Sequence, residues 1–225
     1  MSPLSYEALK TRHRAQRHEW PDPNLTLRVH RSLSWLQRAE HMAQEPEPDR
    51  DTQFILLWIA FNAAYASDIG EHRGASERDL FQGFIGDLVK LDVNKALGAL
   101  VWQTFPSSIR TLLDNRFVFE DFWRHHRGEL PGLDWQQQFK RANDKALRAL
   151  ERTDTAEVLC ITLSRIYTLR NQLVHGGATW HSGTNREQVR DCAAFMAQLV
   201  PTIITLLMDH PQHMWPAPAF PVVQP

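Results

Sequence analysis

The chain has 225 residues, of which 43 % are hydrophobic and 23 % are charged, and its formal net charge is −1 at pH 7. This composition is that of a globular protein, and the charge excludes binding of nucleic acid or membrane by bulk attraction alone. Cys160 and Cys192 are too few for a disulfide framework, so we expect reduced core thiols. The sequence has no secretory signal and no apolar run of bilayer length, which predicts a cytoplasmic protein without a membrane partner.

Helical periodicity dominates the sequence, and no convincing alternating strand is present. An all-α protein is therefore predicted. In chain order, the expected helices cover residues 4–18, 25–39, 54–65, 77–91, 94–105, 134–152, 155–175 and 185–209, the last with a kink at Pro201.

Polar side chains that can accept from free backbone N–H groups mark the expected helix starts. Asn24 is expected to cap the second helix and Asp51 or Thr52 the third, while Ser76 and Asp79 have the spacing of a capping box. The third helix is apolar all round, which predicts that it is the most buried element of the protein.

Two segments fall outside this regular helical pattern. Residues 106–133 are rich in aromatic side chains and are expected to form short helices and loops at one end of the bundle. From Pro211 the chain is rich in proline and has no Asp, Glu, Lys or Arg, so this tail is either disordered or extended along the surface. These boundaries predict one domain over residues 1–210, with an insertion at roughly 106–133, and a separate tail over 211–225.

The chemically active side chains concentrate at the end of the 155–175 helix. On a helical wheel, Ser164, Tyr167, Asn171 and His175 form one polar stripe, whereas Arg170 lies within an apolar arc. A guanidinium in an apolar arc is costly unless it is paired or reaches water. A cation, an amide and a titratable imidazole thus lie within two turns of a Gly-Gly loop. The arc consists of Leu159, Leu163, Ile166, Leu173 and Val174.

Each of these residues has a structural explanation as well as a functional one. Arg170 could form a buried salt bridge, Asn171 a tertiary hydrogen bond, and His175 a favourable interaction with the helix dipole. The functional alternative is phosphodiester chemistry, in which histidine moves a proton and arginine holds a phosphate bidentately. No metal or cofactor is needed if RNA supplies its own 2′-hydroxyl as nucleophile. The acidic residues considered as partners of Arg170 are Asp68, Glu71 and Asp144.

Two sequence blocks resemble those of a known family. The stretch Arg170-Asn171-x-x-x-His175 resembles the Arg-x4-6-His motif of HEPN domains, including the Asn preferred after the Arg. Residues 57–65, Leu-Trp-Ile-Ala-Phe-Asn-Ala-Ala-Tyr, resemble a second block found in Apea-like HEPN domains. The blocks occur in the family's order, and both lie on helices that are expected to be buried.

The resemblance implies a HEPN-type helical bundle, with short helices inserted at 106–133, that forms a homodimer around the motif. It implies a metal-independent endoribonuclease without a cofactor, in which Arg170 and His175 are catalytic, Asn171 orients the site and RNA is the substrate. Many members are toxins or prokaryotic defence effectors, so an antitoxin or a defence-system protein is an expected partner. Other members are non-catalytic modules that bind RNA, a nucleotide or a protein. That alternative stays open, as does a purely structural helical dimer.

Further candidates extend or compete with this site. Tyr167 on the polar stripe and Trp180 on the following loop are candidate substrate-binding residues. Asn62 is a third candidate, although a structural hydrogen bond is the favoured explanation for it.

The histidines at 125–126 and His181 lack matched metal-ligand spacing, so no metal site is predicted. The insertion at 106–133 could cover the site or build a specificity pocket. One basic run, most simply a solvated helix face, could extend an RNA-binding surface. It comprises Lys140, Arg141, Lys145 and Arg148.

Overall fold

A computed structural model describes residues 4–66, 77–129, 132, 134–181, 183 and 185–220. Within these residues the chain is all-α and has no strand, so the predicted helical bundle is confirmed. Contacts separate the chain into two compact units. Unit 1 comprises Met1–Ala96 with Cys192–Pro225, and unit 2 comprises Leu97–Asp191. The single domain expected over residues 1–210 stays a prediction.

The helices follow the predicted order along the chain. In unit 1 they are α1 (Tyr6–Gln16), α2 (Pro23–Gln44), α3 (Arg50–Tyr65) and α4 (Glu77–Leu91). A short α5 (Ala96–Ala99) starts at the unit boundary and continues as a π-helical turn (Leu100–Thr104). Unit 2 then holds α6 (Pro106–Asp114), a 3₁₀ turn (Arg116–Val118), α7 (Glu120–His126), α8 (Trp135–Glu151) and α9 (Thr155–Val174). The last helix, α10 (Arg186–Asp209), starts in unit 2 and has most of its residues in unit 1.

A proline determines where α2 begins. Pro23 occupies the first turn, where its fixed φ suits a helix and its missing N–H is not needed. Asp22 is therefore the N-cap, and its carboxylate accepts from the Asn24 N–H at 2.8 Å. The prediction that Asn24 caps this helix is wrong, because the proline starts the helix before that residue.

Helix α3 also begins before its predicted cap. Asp49 is the N-cap, and its carboxylate accepts from the Thr52 N–H at 3.0 Å and from the Thr52 hydroxyl at 2.6 Å. The prediction of Asp51 or Thr52 as the cap is wrong, because Asp49 satisfies the free N–H groups one turn earlier. The capping box predicted for Ser76 and Asp79 involves Ser76, which lies outside the described residues.

Helices α2 and α3 pack together as the centre of unit 1. The Ser32 hydroxyl on α2 donates to the Ala60 carbonyl on α3 at 2.7 Å, which satisfies a buried polar group between the two apolar faces. All apolar positions predicted to face the core from α2 are buried. They are Leu25, Val29, Leu33, Leu36 and Ala39.

Helices α3 and α10 are two apolar helices with many buried residues, and their buried fractions are similar. Nine of the 16 residues of α3 are buried, because a half-buried stripe runs through Ile55, Ile59 and Asn62. Fourteen of the 24 residues of α10 are buried, a similar fraction, so the expectation that α3 is the most buried element stays a prediction. By length and composition α10 could also cross a membrane, but burial of this extent is typical of a core helix.

The described part of the tail, residues 211–220, packs against the rest of unit 1. The buried Trp215 places its ring 5.8 Å from that of Phe84 on α4. Arg28 and Arg31 on α2 donate hydrogen bonds to backbone carbonyls of the tail. The tail thus lies against unit 1 over these residues, as one of the two expectations has it, but it begins with a turn at 211–213 and forms no strand there.

Unit 2 is built around the pair α8 and α9. Asp154 caps α9 by accepting from the Glu157 N–H at 3.0 Å, and the Trp102 indole donates to the Thr155 hydroxyl at 2.9 Å. The segment predicted to be an irregular insertion consists of short helices, α6 and α7 with the 3₁₀ turn between them, as expected. The hydrogen bonds of Asp154 and Trp102 fix the N-terminal end of α9, the helix that carries the candidate motif.

Candidate active site

The final turn of α9 emerges at the surface of unit 2. Leu159, Leu163 and Ile166 are buried, as the predicted apolar arc requires. The arc does not continue to the end of the helix, because Leu173 is only half-buried and Val174 is exposed. The motif therefore lies where a buried helix anchors it and where a ligand or a second molecule can reach it.

Arg170 and Asn171 are in direct contact. Arg170 is half-buried, and its Nη1 donates to Oδ1 of Asn171 at 2.8 Å. Among the described residues no ion pair joins Arg170 to Asp144, and the other considered partners, Asp68 and Glu71, lie outside them. Asn171 thus orients one edge of the guanidinium, and the remaining N–H groups of Arg170 have no partner within the described chain.

His175 is the C-cap of α9 and its side chain is exposed. Its backbone N–H donates to the Asn171 carbonyl at 3.0 Å, so the imidazole is attached to the last hydrogen-bonded turn. Gly176 follows with a φ of +71°, the left-handed conformation in which glycine commonly ends helices. The helix end is therefore well defined, although the imidazole itself projects from its surface.

The other predicted site residues are distributed over two units. Tyr167 is exposed one turn before Asn171, and Trp180 is 72 % exposed on the loop after α9, with its ring 4.1 Å from that of His181. Asn62 is half-buried on α3 and belongs to unit 1. Its backbone carbonyl accepts from Ala66 at 2.8 Å. Five of the six candidates thus share unit 2, and Asn62 does not.

The buried arginine of α9 is Arg165, which the sequence analysis did not single out. It is 4 % exposed, and its guanidinium carbon lies 4.5 Å from the ring centroid of Phe119 and 5.4 Å from that of Phe139. Its Nη2 donates weakly to Asn143 at 3.5 Å. Burial lowers the pKa of Arg165 to about 10, which Asp121 partly opposes. Two aromatic rings flank this buried charge, a favourable cation–π arrangement.

The aromatic residues of the insertion at 106–133, which include Phe119, were a sequence signal for part of this contact. Phe119 lies between the 3₁₀ turn and α7, and Phe139 lies on α8, so the two rings reach Arg165 from different elements. Spacing within α9 alone selects Arg170 as the arginine in the apolar arc. Tertiary contacts determine instead that Arg165 is the buried arginine, because the two aromatic faces stabilise its guanidinium.

Charges elsewhere in unit 2 are mostly solvated. Lys140, Arg141 and Arg148 are exposed on α8, whereas Lys145 pairs with Glu157 at 2.5 Å. The basic run therefore lies on a helix surface, in line with its simplest explanation. Within the part of the chain that the structure describes, no group of three or more His, Cys, Asp or Glu side chains could hold a metal ion.

This geometry combines a partly oriented guanidinium, an amide and an exposed imidazole on one helix end. Such groups can bind a phosphate and exchange protons with its ester oxygens. No family model, curated protein or solved structure matches the chain. The chemical interpretation therefore depends on these residues themselves.

Proposed function

We propose that the chain is a metal-independent endoribonuclease of HEPN type, with Arg170, Asn171 and His175 as its catalytic set. The observation that carries the proposal is the contact between Arg170 and Asn171 at the exposed end of α9, one turn from His175. A purely structural arginine would be expected to have an acidic partner or a fully buried side chain, as Arg165 is buried. Arg170 has neither among the described residues.

The reaction needs only groups that this set and RNA supply. The 2′-oxygen attacks phosphorus while an imidazole accepts its proton, and the bond from phosphorus to the 5′-oxygen breaks. A second imidazole protonates the departing 5′-oxygen, so the products are a 2′,3′-cyclic phosphate and a free 5′-hydroxyl. Arg170 stabilises the negative charge on the pentavalent phosphorus through its planar pair of donors.

Two imidazoles at one phosphate imply two copies of the motif, so the proposal includes a homodimer through the end of α9. The exposed Val174 and half-buried Leu173 support it, since a twofold interface brings the same apolar patch of each chain together. We expect static light scattering at tens of micromolar to give the dimer mass. Val174→Asp should give the monomer mass, because it places a charge in that patch. A strictly monomeric wild type would contradict this prediction.

Incubation with single-stranded RNA in EDTA tests the proposed activity. We expect cleavage to persist in the chelator and to leave 2′,3′-cyclic phosphate ends, because the nucleophile comes from the substrate. DNA of the same base sequence should resist, since it lacks the 2′-hydroxyl. Cleavage that requires a divalent metal, or that acts equally on DNA, would contradict the mechanism.

The second candidate is a non-catalytic HEPN module that binds RNA, a nucleotide or a protein partner. The exposed side chains around the motif favour it, because Tyr167, Val174 and Trp180 form contact area without chemical function. Binding of RNA without cleavage would select this candidate. A role as a toxin or defence effector, with an antitoxin or defence-system partner, rests on the family resemblance and belongs to the same proposal.

A further inference from the structure

Gln172, inside the motif, connects three parts of unit 2. Its side-chain amide N–H donates to the Phe117 carbonyl on the 3₁₀ turn. Its side-chain carbonyl accepts from the Asn185 amide at 3.2 Å, just before α10. Its backbone carbonyl accepts from the Gly177 N–H at 2.6 Å, so the chain turns back directly after α9. One residue thus fixes the 3₁₀ turn and the following loop against the motif.

The backbone of Phe117 is held by further hydrogen bonds. Its N–H donates to Oδ1 of Asn115 at 2.9 Å, and its carbonyl accepts from the Trp123 indole at 2.7 Å in addition to Gln172. Phe117 nevertheless remains 40 % exposed, and its ring meets that of Phe122 edge to face at a centroid distance of 5.4 Å. An aromatic ring is therefore presented to solvent on a backbone that cannot easily move.

A cation accompanies this ring. The guanidinium carbon of Arg116 lies 5.0 Å from the Phe117 centroid, and the Arg116 side chain is exposed. Single exposed aromatic residues are common and need no explanation of their own. Phe117 differs from such residues in three ways. Its backbone is fixed, a guanidinium lies next to its ring, and its carbonyl accepts a hydrogen bond from the helix that ends at His175. Fixed aromatic rings beside cations are the elements with which proteins bind single-stranded nucleic acid.

We propose that Arg116 and Phe117 form a nucleobase platform for single-stranded RNA, held beside the motif by Gln172. Phe117 stacks on a base, and Arg116 contacts a neighbouring phosphate. Gln172 touches no substrate and is a positioning residue. The inference rests on the proposed function because it assigns the insertion a part in substrate recognition at the same site. It gives the 3₁₀ turn a role that the catalytic motif alone does not explain.

Measurements of RNA binding test the platform. They use the His175→Ala protein as the parent of every variant, so that the RNA stays intact. Fluorescence anisotropy would compare a labelled twelve-nucleotide oligouridylate with an abasic ribose-phosphate chain of the same length. We expect Phe117→Ala to weaken oligouridylate binding by about 5- to 150-fold, the range for loss of one base stack. Binding of the abasic chain should not change. Phe117→Trp should restore the affinity for oligouridylate, because it restores an aromatic face.

Trp35 provides a matched control, since it is also 40 % exposed but lies on α2 in unit 1. Trp35→Ala should leave both affinities unchanged. Gln172→Glu should weaken oligouridylate binding but not abasic binding, because a carboxylate cannot donate to the Phe117 carbonyl. Near-ultraviolet circular dichroism of each variant would verify its fold.

The proposal is overturned if Phe117→Ala binds oligouridylate as tightly as its parent, or if the parent binds the abasic chain equally well. Failure of the proposed function gives a different result. In that case wild-type protein leaves RNA intact in EDTA, whereas base-dependent binding through Phe117 is still measurable in the same protein.

Discussion

Replacement of His175 by alanine is expected to lower the rate of RNA cleavage by about 10²–10⁴-fold, the usual contribution of a general acid or base. The protein should keep its fold, because the imidazole is exposed and the backbone hydrogen bond to Asn171 does not involve it. Exposed substitutions of this kind usually change the free energy of unfolding by no more than about 0.5 kcal/mol. A loss of rate without a loss of stability therefore distinguishes a catalytic imidazole from a structural one.

The chain offers a matched control for this substitution. His41 is also exposed and also lies in the last turn of a helix, α2, in unit 1. His41→Ala should leave cleavage unchanged when both variants are assayed side by side in EDTA. Equal cleavage by wild type and by folded His175→Ala protein would mean that the active site lies elsewhere or that a contaminant cleaves the RNA.

Arg170→Lys adds a test of the phosphate-binding role. We expect this variant to lose most of its activity as well, because an ammonium point charge cannot reproduce the two parallel donors of guanidinium. It also changes the hydrogen bond to Asn171. A structural role predicts the reverse pattern, in which Arg170→Ala unfolds the protein and His175→Ala has no effect. Melting curves together with cleavage rates would separate the two patterns.

Local periodicity was sufficient to predict most helices and much of the core. The apolar spacing from Leu25 to Ala39 predicts the buried face of α2, and the Gly-Gly stop predicts the end of α9 at His175. Both features depend on residues within a few turns of one another. The helix starts were less accurate, since Asp22 and Asp49 are the N-caps although Asn24, Asp51 and Thr52 nearby could also cap a helix. At α2, the fixed φ of Pro23 decides which residue is the cap.

Buried polar residues could not be predicted in the same way. Arg165 and Arg28 are buried by partners distant in sequence, aromatic rings in the first case and tail carbonyls in the second. His13 is fully buried, and burial, with repulsion from Lys10 and Arg17, lowers its pKa to about 4. For Arg165 and Arg28, no short window of the sequence contains both members of these contacts. The contact between Gln172 and Phe117 was missed for the same reason.

Among substitutions of residues that hold the tail, Arg28→Met is expected to lower the free energy of unfolding the most. Arg28 is 1 % exposed, and burial lowers the pKa of its guanidinium to about 10, an effect that Asp22 partly opposes. Its three nitrogen atoms donate to the carbonyls of Pro216 at 2.8 Å, Ala217 at 2.9 Å and Ala64 at 3.1 Å. One side chain thus attaches the tail to the end of α3 and to α2.

Methionine fills much of the same volume but donates nothing, so three carbonyls lose their donor. Each buried acceptor left unsatisfied costs about 1–3 kcal/mol, although the tail carbonyls can turn towards water if the tail detaches. We therefore expect the free energy of unfolding, measured by urea denaturation, to fall by about 3 kcal/mol. Arg28→Lys should recover only part of this loss, because lysine lacks the planar fork that reaches three carbonyls.

Arg31 is the matched control, since it binds the Phe220 carbonyl of the same tail at 2.5 Å from a half-buried position. Arg31→Met should lower the free energy of unfolding by less than about 1 kcal/mol, because its carbonyl partner is open to water. A chain that ends at His210 completes the test. Removing the tail should shrink the effect of Arg28→Met, since two of the three acceptors are then absent. Equal losses for Arg28→Met and Arg31→Met, or an undiminished loss without the tail, would contradict a tail attached through Arg28.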